Sequence, residues 1–504
     1  MTRDAATIGA GLRPAREARQ IRPGERIHVV GAAGAGASAA ALLARAAGAV
    51  VDGCDPGYPS PYTAALDAVS IRVAPAHDPR HVDGTTGPIP DRLAVTKALT
   101  AVEPDHPELV AAREHGVPLE PWQQVIADAA VGRRLVAIAG THGKSTTAGW
   151  LVHVLVEAGL DPAAFVGALL PASITGGQPA TARWGRGAPF VVEADEYAGN
   201  FDAYRPEIAA LTSIEWDHPD AFADLAATQA TFRRWLAAMP RSGTLIANVA
   251  DPGVQDVATV FDTEAGPTVV RVMLLADGVP APVDADIVGR VVAEDPDSTT
   301  ITIEGLRPSG PIRARLPTAG RHNASNALLV AASAHHLGVA DPAIVSGLET
   351  FPGVGRRLER KGEAAGVVVY DDYGHHPTAI RATIAAVRQR EPGRRVWAVY
   401  EPLTFHRTAA LLDDFAEALS AADAVAVADI WAGRDPDTSV ASPDGLAAAV
   451  ARERPGIPIG APGPVEATAD WLLREVRAGD VVLVMGGGRS YRIGERLLEL
   501  LEGG

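Results

Sequence analysis

This 504-residue chain is poor in cysteine, in lysine and in aromatic residues, and each shortage excludes something. Cys54 is the only cysteine, so neither a disulfide framework nor a cysteine-rich metal site can be built, as suits a reducing compartment. Of 45 basic residues only Lys97, Lys144 and Lys361 are lysines. A formal charge of −16 with no basic stripe argues against nucleic acid or an anionic membrane as a partner. Long apolar runs are also missing. The most apolar stretch, 32–51, is alanine-rich, interrupted by Arg45 and preceded by a glycine loop, and reads as a buried helix rather than a membrane span or signal peptide. Residues 1–22 mix arginines with acids around no apolar centre and are expected to form a loose arm without targeting function, so the expected location is cytoplasmic.

What is present is length and α/β rhythm. The chain is too long for a single core. Apolar strand runs alternate with amphipathic helices in three blocks. The first opens with the strand 27–30, the turn Gly31-Ala-Ala-Gly34-Ala-Gly36, the alanine-rich helix and a second strand that reaches Asp55. A glycine turn at a helix start with an acid at the end of strand two suits a nucleotide diphosphate on the helix and a ribose or base near the acid, although a packing turn fits the same residues. Residues 77–93 read as irregular, with a helix at 107–116. The second block runs from Leu135 to about Phe351, with strands at 190–193, 208–213 and 244–248, a β-rich stretch at 268–316 and a helix at 323–337. The third repeats the rhythm with strands at 367–370, 396–400, 424–429 and 481–485.

The most informative segment is Leu135-Val-Ala-Ile-Ala followed by Gly140-Thr141-His142-Gly143-Lys144-Ser145-Thr146. An apolar strand, a glycine loop and Lys-Ser-Thr opening a helix cradle a polyphosphate. Backbone N–H groups and the positive helix end face the anion, the lysine places its charge between β- and γ-phosphates, and the serine hydroxyl ligands Mg²⁺. A chain that otherwise writes positive charge as arginine uses a compact ammonium here. Ile138 stands where the strict loop pattern wants glycine.

Further acids and histidines end the later strands. Glu193-Ala-Asp195-Glu196 follows a strand whose carboxyl end shares its edge with the phosphate loop, where Mg²⁺ would need carboxylates; a solvated acidic loop is the alternative. Glu215-Trp-Asp217-His218 ends the next strand, with His218 suited to a divalent ion, to phosphate, or simply to the surface. In Gly320-Arg-His322-Asn323-Ala-Ser-Asn326, Asn323 fits a helix cap and Asn326 an adenine edge. Arg356-Arg357 precedes Asp371-Asp372-Tyr373-Gly374-His375-His376-Pro377, where paired acids and histidines at a strand end favour ligand contact over an ordinary polar junction.

Taken in order, these motifs resemble the Mur ligases of peptidoglycan synthesis, most of all the alanine-adding branch, over nearly the whole chain from about Ile27. The resemblance implies three domains: 1–133, a Rossmann-like UDP-sugar domain; 134–354, a central P-loop ATPase; and 355–504, a Rossmann-like domain that brings the amino acid. It implies Lys144 on the phosphates, Ser145 and Glu193 on Mg²⁺, His218 on a second Mg²⁺, and Asn323 or Asn326 near adenine. It further implies Arg357 and Asp372 reaching ATP, Gly31, Gly34, Gly36 and Asp55 on the uridine nucleotide, and Arg407 on the incoming carboxylate. Lys144, Glu193 and His218 are then the catalytic set, and His375 or His376 stand near the amino acid. The implied reaction is ATP-dependent ligation of L-alanine to UDP-N-acetylmuramate through an acyl phosphate. Some sister ligases use a carbamylated lysine at the second metal, and this chain has no lysine between 145 and 360.

The third block departs from the branch. Tyr400-Glu401-Pro402-Leu403-Thr404-Phe405-His406-Arg407 keeps the last arginine of the usual pattern but not its first His and Arg, Met485-Gly-Gly-Gly-Arg489 replaces an expected Gly-Ala-Gly-Asp, and Ser213 stands where Asn is usual. Glu196-Tyr197, Glu401-Pro402 and the 58–61 region resemble instead the ligase that attaches a murein tripeptide to the same sugar. Two other classes compete. A Rossmann dehydrogenase explains the first block but not Gly143-Lys144-Ser145, and a non-catalytic ATP- and UDP-sugar-binding regulator explains the loop but not Glu193 with His218.

Overall fold

Runs of small and β-branched apolar residues, buried on both faces and flanked by amphipathic helices, sort into three sheets, as parallel α/β layers require. The computed structural model describes residues 3–262, 266–306, 310–433, 435 and 437–503. The fold is the three-part α/β architecture expected.

The first sheet is parallel, in spatial order Val73–Ala74, Val50–Cys54, Arg26–Val30, Arg92–Val95 and Leu119–Pro121. Ile27 and Val29 face the helix Ala35–Ala46, whose alanines Ala37, Ala40, Ala41 and Ala44 let it lie close to the sheet. The opposite face, carrying Val30, Cys54, Leu93 and Val95, is covered by Leu109 and Ala112 of the helix Pro107–Glu114. The 77–93 segment is largely irregular as expected, with one helical turn at Pro79–His81 before Arg92 opens a strand.

The loose arm expected at 1–22 is corrected by the described residues 3–22. Ile8 is fully buried in a short helix, and its carbonyl accepts from Thr100 Oγ1 at 2.7 Å. Arg16 forks onto Glu120 and Asp128, and Arg19 pairs with Glu25 at 2.6 Å. The arginines that made this segment look solvated are its fasteners, because buried carboxylates wait for them on the first domain.

The second sheet has ten strands, in order Ile312–Leu316, Ser298–Glu304, Ile287–Asp295, Thr268–Ala276, Thr244–Asn248, Ile208–Leu211, Arg134–Ala139, Pro189–Ala194, Ala163–Leu170 and Ala180–Arg183. Its register decides the chemistry. Ala139 pairs with Ala194 on one side and Leu211 on the other, all in parallel, so Gly140, Asp195 and Thr212 leave the sheet side by side. The strand Ala163–Leu170, whose edge backs Glu193, was not expected from the sequence. The β-rich stretch at 268–316 is seen as four strands, while its residues 307–309 lie outside the described residues. The third sheet runs Glu359–Ala364, Val367–Asp372, Asp480–Gly486, Arg395–Glu401, Ala424–Ala428 and Ile459–Gly463. Asp372 and Tyr400 both pair with Met485, bringing Tyr373, Glu401 and the 486–488 glycines to one edge.

Arg92 is a buried cation at the centre of a carboxylate cluster in the first domain. Only 2 % exposed, it lies 3.0 Å from Glu25, 2.7 Å from Glu120 and 2.5 Å from Asp128. Burial pushes the Glu25 carboxyl up, but hydrogen bonds from Arg19 and the Arg22 N–H, with the Arg92 charge, hold it down to about 2. Its contribution to stability is therefore complete above the ordinary glutamate range and lost as pH falls towards 2. Replacing Arg92 by alanine leaves three buried carboxylates to Arg16 and Arg19 alone, removes the cation between them, and should destabilise this domain by about 3–5 kcal/mol. Calorimetry at pH 7 should show that loss, and a lowered pH should narrow the gap between variant and parent.

Candidate functional site

The phosphate loop is shaped by what it must avoid. Gly140 has φ +134°, and a Cβ there would meet Thr212 Oγ1 at 2.2 Å; Gly143 has φ +79°, and its Cβ would meet Asn326 Oδ1 at 2.5 Å. Only glycine meets both demands. Thr141 N–H donates to the Ser213 carbonyl at 2.7 Å and His142 N–H to Ser213 Oγ at 3.0 Å, so the residue that departs from the family pattern supports the loop directly. The following helix, Lys144–Glu157, has Gly143 at its N-cap and no side-chain cap. Its first-turn N–H groups are thus left for an anion.

Lys144 Nζ folds back to donate to the Gly140 carbonyl at 2.6 Å, with Glu196 at 3.4 Å and Asp195 at 3.7 Å. Burial works against its charge, but the Glu196, Asp195 and Glu193 carboxylates outweigh burial and hold its pKa above the ordinary lysine value. Burial likewise pushes the Glu196 carboxyl up, with Lys144 pulling the other way. Ser145 Oγ donates to Glu193 Oε1 at 3.0 Å, and Glu193 Oε2 accepts from Gly167 N–H at 2.6 Å. A hydroxyl and a carboxylate converging on one point make the hard oxygen set that Mg²⁺ prefers. Arg357, from the third sheet, reaches Ser145 Oγ at 3.0 Å, so positive charge already stands there.

His218 is held at φ +57° after the buried Asp217. Its ring atom lies with ligand oxygens of Asp195 and Glu196 within 4.8 Å of one another, a group able to hold a cation. Arg407 reaches the same place from the helix Phe405–Ala410, which follows a strand of the third sheet: Nε is 2.8 Å from Asp217 Oδ1, and Nη2 donates to His218 Nδ1 at 2.9 Å. A neutral imidazole has one lone-pair nitrogen. His218 therefore cannot accept from Arg407 and ligand a metal through Nε2 at once; metal binding there requires Arg407 to let go. Arg407 is almost fully buried, and its Nη1 has no hydrogen-bond acceptor among the described residues.

A third bridge joins the sheets. Glu215 Oε2 accepts from Thr378 Oγ1 at 2.8 Å and lies 3.2 Å from His142 Nε2 and 3.4 Å from His376 Nδ1. Burial pushes the Glu215 carboxyl up, but His142, Thr378 and His376 hold it at about 2. His376 is pushed down to about 4 by burial and by His142. His375 is also held well below the ordinary histidine value, by burial and the Arg407 charge, which makes it a poor proton acceptor. Thus His376 meets the phosphate loop, and His375 lies in the electrostatic reach of Arg407 and Asp217.

The remaining expected residues sort as follows. Asn323 does not cap its helix, because the helix starts two residues earlier and Gly320 is its N-cap. Asn323 Nδ2 instead donates to the Ala319 carbonyl at 2.8 Å, and Asn326 leans on Gly143. Both Asp372 oxygens are engaged by backbone N–H groups, of Leu358 and Gly374, each at 2.7 Å. Asp372 thereby fixes the turn that carries Arg357. Thr146 stands in the first turn of the loop helix. In the first sheet Gly31 has φ +88° beside Thr96, Gly34 is the uncapped N-cap of Ala35–Ala46, and Asp55 Oδ2 accepts from Ala33 N–H at 3.0 Å. Gly36 has a packing reason, since a Cβ there would lie 2.2 Å from the Trp122 ring. Glu196, Glu215 and Asp217 were visible as acids at strand ends; that they would pair with Lys144, His376 and Arg407 had no sequence signal.

Family models match along the chain: "Mur ligase family, catalytic domain" over residues 26–134, "Mur ligase middle domain" over 138–334, and "Mur ligase, glutamate ligase domain" over 356–488. The chain is 38% identical over 477 residues to the UDP-N-acetylmuramate–L-alanine ligase of Kineococcus radiotolerans, covering 94% of this chain and 96% of that one. The ligase of the same name from Frankia casuarinae is 37% identical over 505 residues, covering 95% and 98%. Among solved structures, a murein peptide ligase from Psychrobacter arcticus superposes with TM-score 0.72 at 25% identity, and the UDP-N-acetylmuramate-alanine ligase of Thermotoga maritima with TM-score 0.76 at 22%; each comparison covers 95% of this chain and 99% of the other.

The Glu215 bridge predicts a pH dependence. His376 is neutral in the docked state and would bind a proton more readily once released, and Glu215 is held ionised, so contact between the third sheet and the phosphate loop is strongest above about pH 6.5 and weakens as pH falls towards 4. Protection factors for hydrogen exchange in the helix Pro377–Arg390, corrected for the slower intrinsic amide rate in acid, should fall over that interval, and Glu215→Ala should show the lower protection already at pH 7.

Proposed function

This chain belongs to the Mur ligase family, and on that premise we propose that it joins L-alanine to UDP-N-acetylmuramate in the cytoplasm, with ATP converted to ADP and phosphate. The observation that carries this reading is the convergence of Lys144, Ser145 and Glu193 on one side with Arg357 and Arg407 on the other: a phosphate site and a carboxylate site completed by a second domain. We assign 1–133 to the UDP-sugar, 134–354 to ATP and 355–504 to the amino acid.

In this account the sugar's muramoyl carboxylate attacks the γ-phosphorus, the bond to ADP breaks, and the amine then attacks the acyl carbon and expels phosphate. Two anions must meet for the first step, so neutralisation and alignment are the main tasks. Lys144 exchanges its loop carbonyl for the β- and γ-phosphates, and the open N–H groups of the helix start hold the same oxygens. Ser145 and Glu193 would hold Mg²⁺, and Asp195, Glu196 and His218 a second ion. Bound there, the metal supplies Lewis-acid charge to the phosphoryl oxygens. Arg407, released from His218, turns its unsatisfied Nη1 towards the alanine carboxylate. Asp372 acts by holding the Arg357 turn, and docking of the third sheet keeps water from the acyl phosphate. Gly31, Gly34 and Asp55 hold the uridine nucleotide, with Asn326 near adenine.

L-alanine is favoured over a murein tripeptide because relatives bearing the alanine-ligase name are 38% and 37% identical over nearly the whole of both chains. ADP release should require UDP-N-acetylmuramate and L-alanine together; release supported by the tripeptide instead would reassign the acceptor, and failure with both would overturn the ligase reading. Lys144→Ala should lower turnover by at least about 10²–10³-fold, the loss expected when a preorganised group facing transition-state charge is removed. Arg407→Ala should raise KM for L-alanine more than KM for ATP.

A further inference from the structure

The first sheet carries a group of metal-ligating side chains that the reaction does not use. From their geometry we propose that His28, Cys54, His81 and Glu108 form a closed zinc-type site that staples the irregular cover of the first sheet to the strands beneath it. The four come from four separate elements: the strand Arg26–Val30, the end of Val50–Cys54, the turn Pro79–His81 and the first turn of the helix Pro107–Glu114. Strand register puts His28 opposite Asp52 and Val30 opposite Cys54, so His28 and Cys54 share the face away from Ala35–Ala46.

The four side chains already touch one another, at spacings a few tenths of an ångström inside or at the edge of a coordination shell. His28 Nε2 lies 3.3 Å from Cys54 Sγ and 3.1 Å from Glu108 Oε1; Cys54 Sγ lies 3.3 Å from Glu108 Oε2; His81 Nδ1 lies 2.9 Å from Glu108 Oε1. One ligand atom from each of the four falls within 4.8 Å of the others. Tetrahedral zinc with bonds of about 2.0–2.3 Å spaces its ligands by about 3.3–3.7 Å. Burial leaves water little part in this shell, since Cys54 and Glu108 are 0% exposed and His28 is 3% exposed.

The chemistry selects the metal. One sulfur, two imidazole nitrogens and one carboxylate suit Zn²⁺ or Co²⁺ and not Mg²⁺. A divalent ion with a thiolate, a carboxylate and two neutral histidines sums to zero charge, which a buried site requires. The surroundings are also built for it. Asp52 Oδ1 lies 2.7 Å from His28 Nδ1, the outer carboxylate that fixes a ligating ring so that its other nitrogen faces the metal. His77 Nδ1 lies 3.0 Å from Cys54 Sγ at the edge of the group. The Cys54 carbonyl accepts from the N–H groups of Gly31 at 2.9 Å and Ala32 at 3.2 Å, so the staple also steadies the glycine turn beside Asp55.

The test uses the full chain, stripped with chelator and titrated with Co²⁺ and with Zn²⁺. The expected result is visible-region bands of tetrahedral Co²⁺, a thiolate-to-cobalt band in the near ultraviolet that saturates at about one ion per chain, and a rise in the thermal midpoint on adding Zn²⁺. Cys54 is the sequence's single cysteine, so the thiolate band reports this site alone. Cys54→Ser should abolish that band. Asp52→Asn alters a side chain more than half exposed, should leave the fold intact, and should weaken zinc affinity by about 10–100-fold. A folded chain that shows no thiolate band on saturation with Co²⁺ overturns the proposal, as does a band that survives Cys54→Ser.

Discussion

The site depends on an ion pair between two domains, Arg407 on a helix of the third against the buried Asp217 in a loop of the second. Removing either partner would leave a charge in a place with little water, a penalty of several kcal/mol. The second sheet alone ends in a surplus of acids, with Glu193, Asp195, Glu196 and Asp217 at adjacent strand ends and Lys144 as their nearby cation. Arg357 and Arg407 make up the deficit from outside. Docking of the third domain is therefore part of the electrostatics of the phosphate loop. In the proposed reaction an incoming nucleotide and metal would rearrange the same charges, the shared hold of Arg407 on Asp217 and His218 among them.

Convergence of so many groups follows from strand register. Parallel strands that end together deliver their next residues to one edge, and the three sheets each do this: Gly31 with Asp55, Gly140 with Asp195 and Thr212, Tyr373 with Glu401 and the 486–488 glycines. Ligands of α/β proteins bind at such carboxyl edges for this reason. The bridges made by Glu215 and Arg357 then turn two edges into one cleft.

Strands such as 208–211, 367–372 and 480–486 were legible because doubly buried parallel strands are near-continuous apolar runs, and the meeting of Ser145 with Glu193 because a glycine loop and a neighbouring strand end share one sheet edge. What escaped was set by contacts between elements distant in sequence. Arg16 and Arg19 look like solvent-facing charges until Glu120, Asp128 and Glu25 are seen beneath them. Asn323 has the composition of a cap but sits inside the helix, and Gly36 looks like a nucleotide glycine but makes room for Trp122. A lone cysteine excludes a cysteine-rich metal centre, yet says nothing of the histidines and glutamate that folding brings to it.

The central claim is that the Lys144, Ser145 and Glu193 edge activates a carboxylate as an acyl phosphate. It is tested most directly by following oxygen. With UDP-N-acetylmuramate labelled with ¹⁸O in its muramoyl carboxylate, together with ATP and L-alanine, the account predicts that one labelled oxygen leaves in each inorganic phosphate released. Phosphate released without label would contradict it.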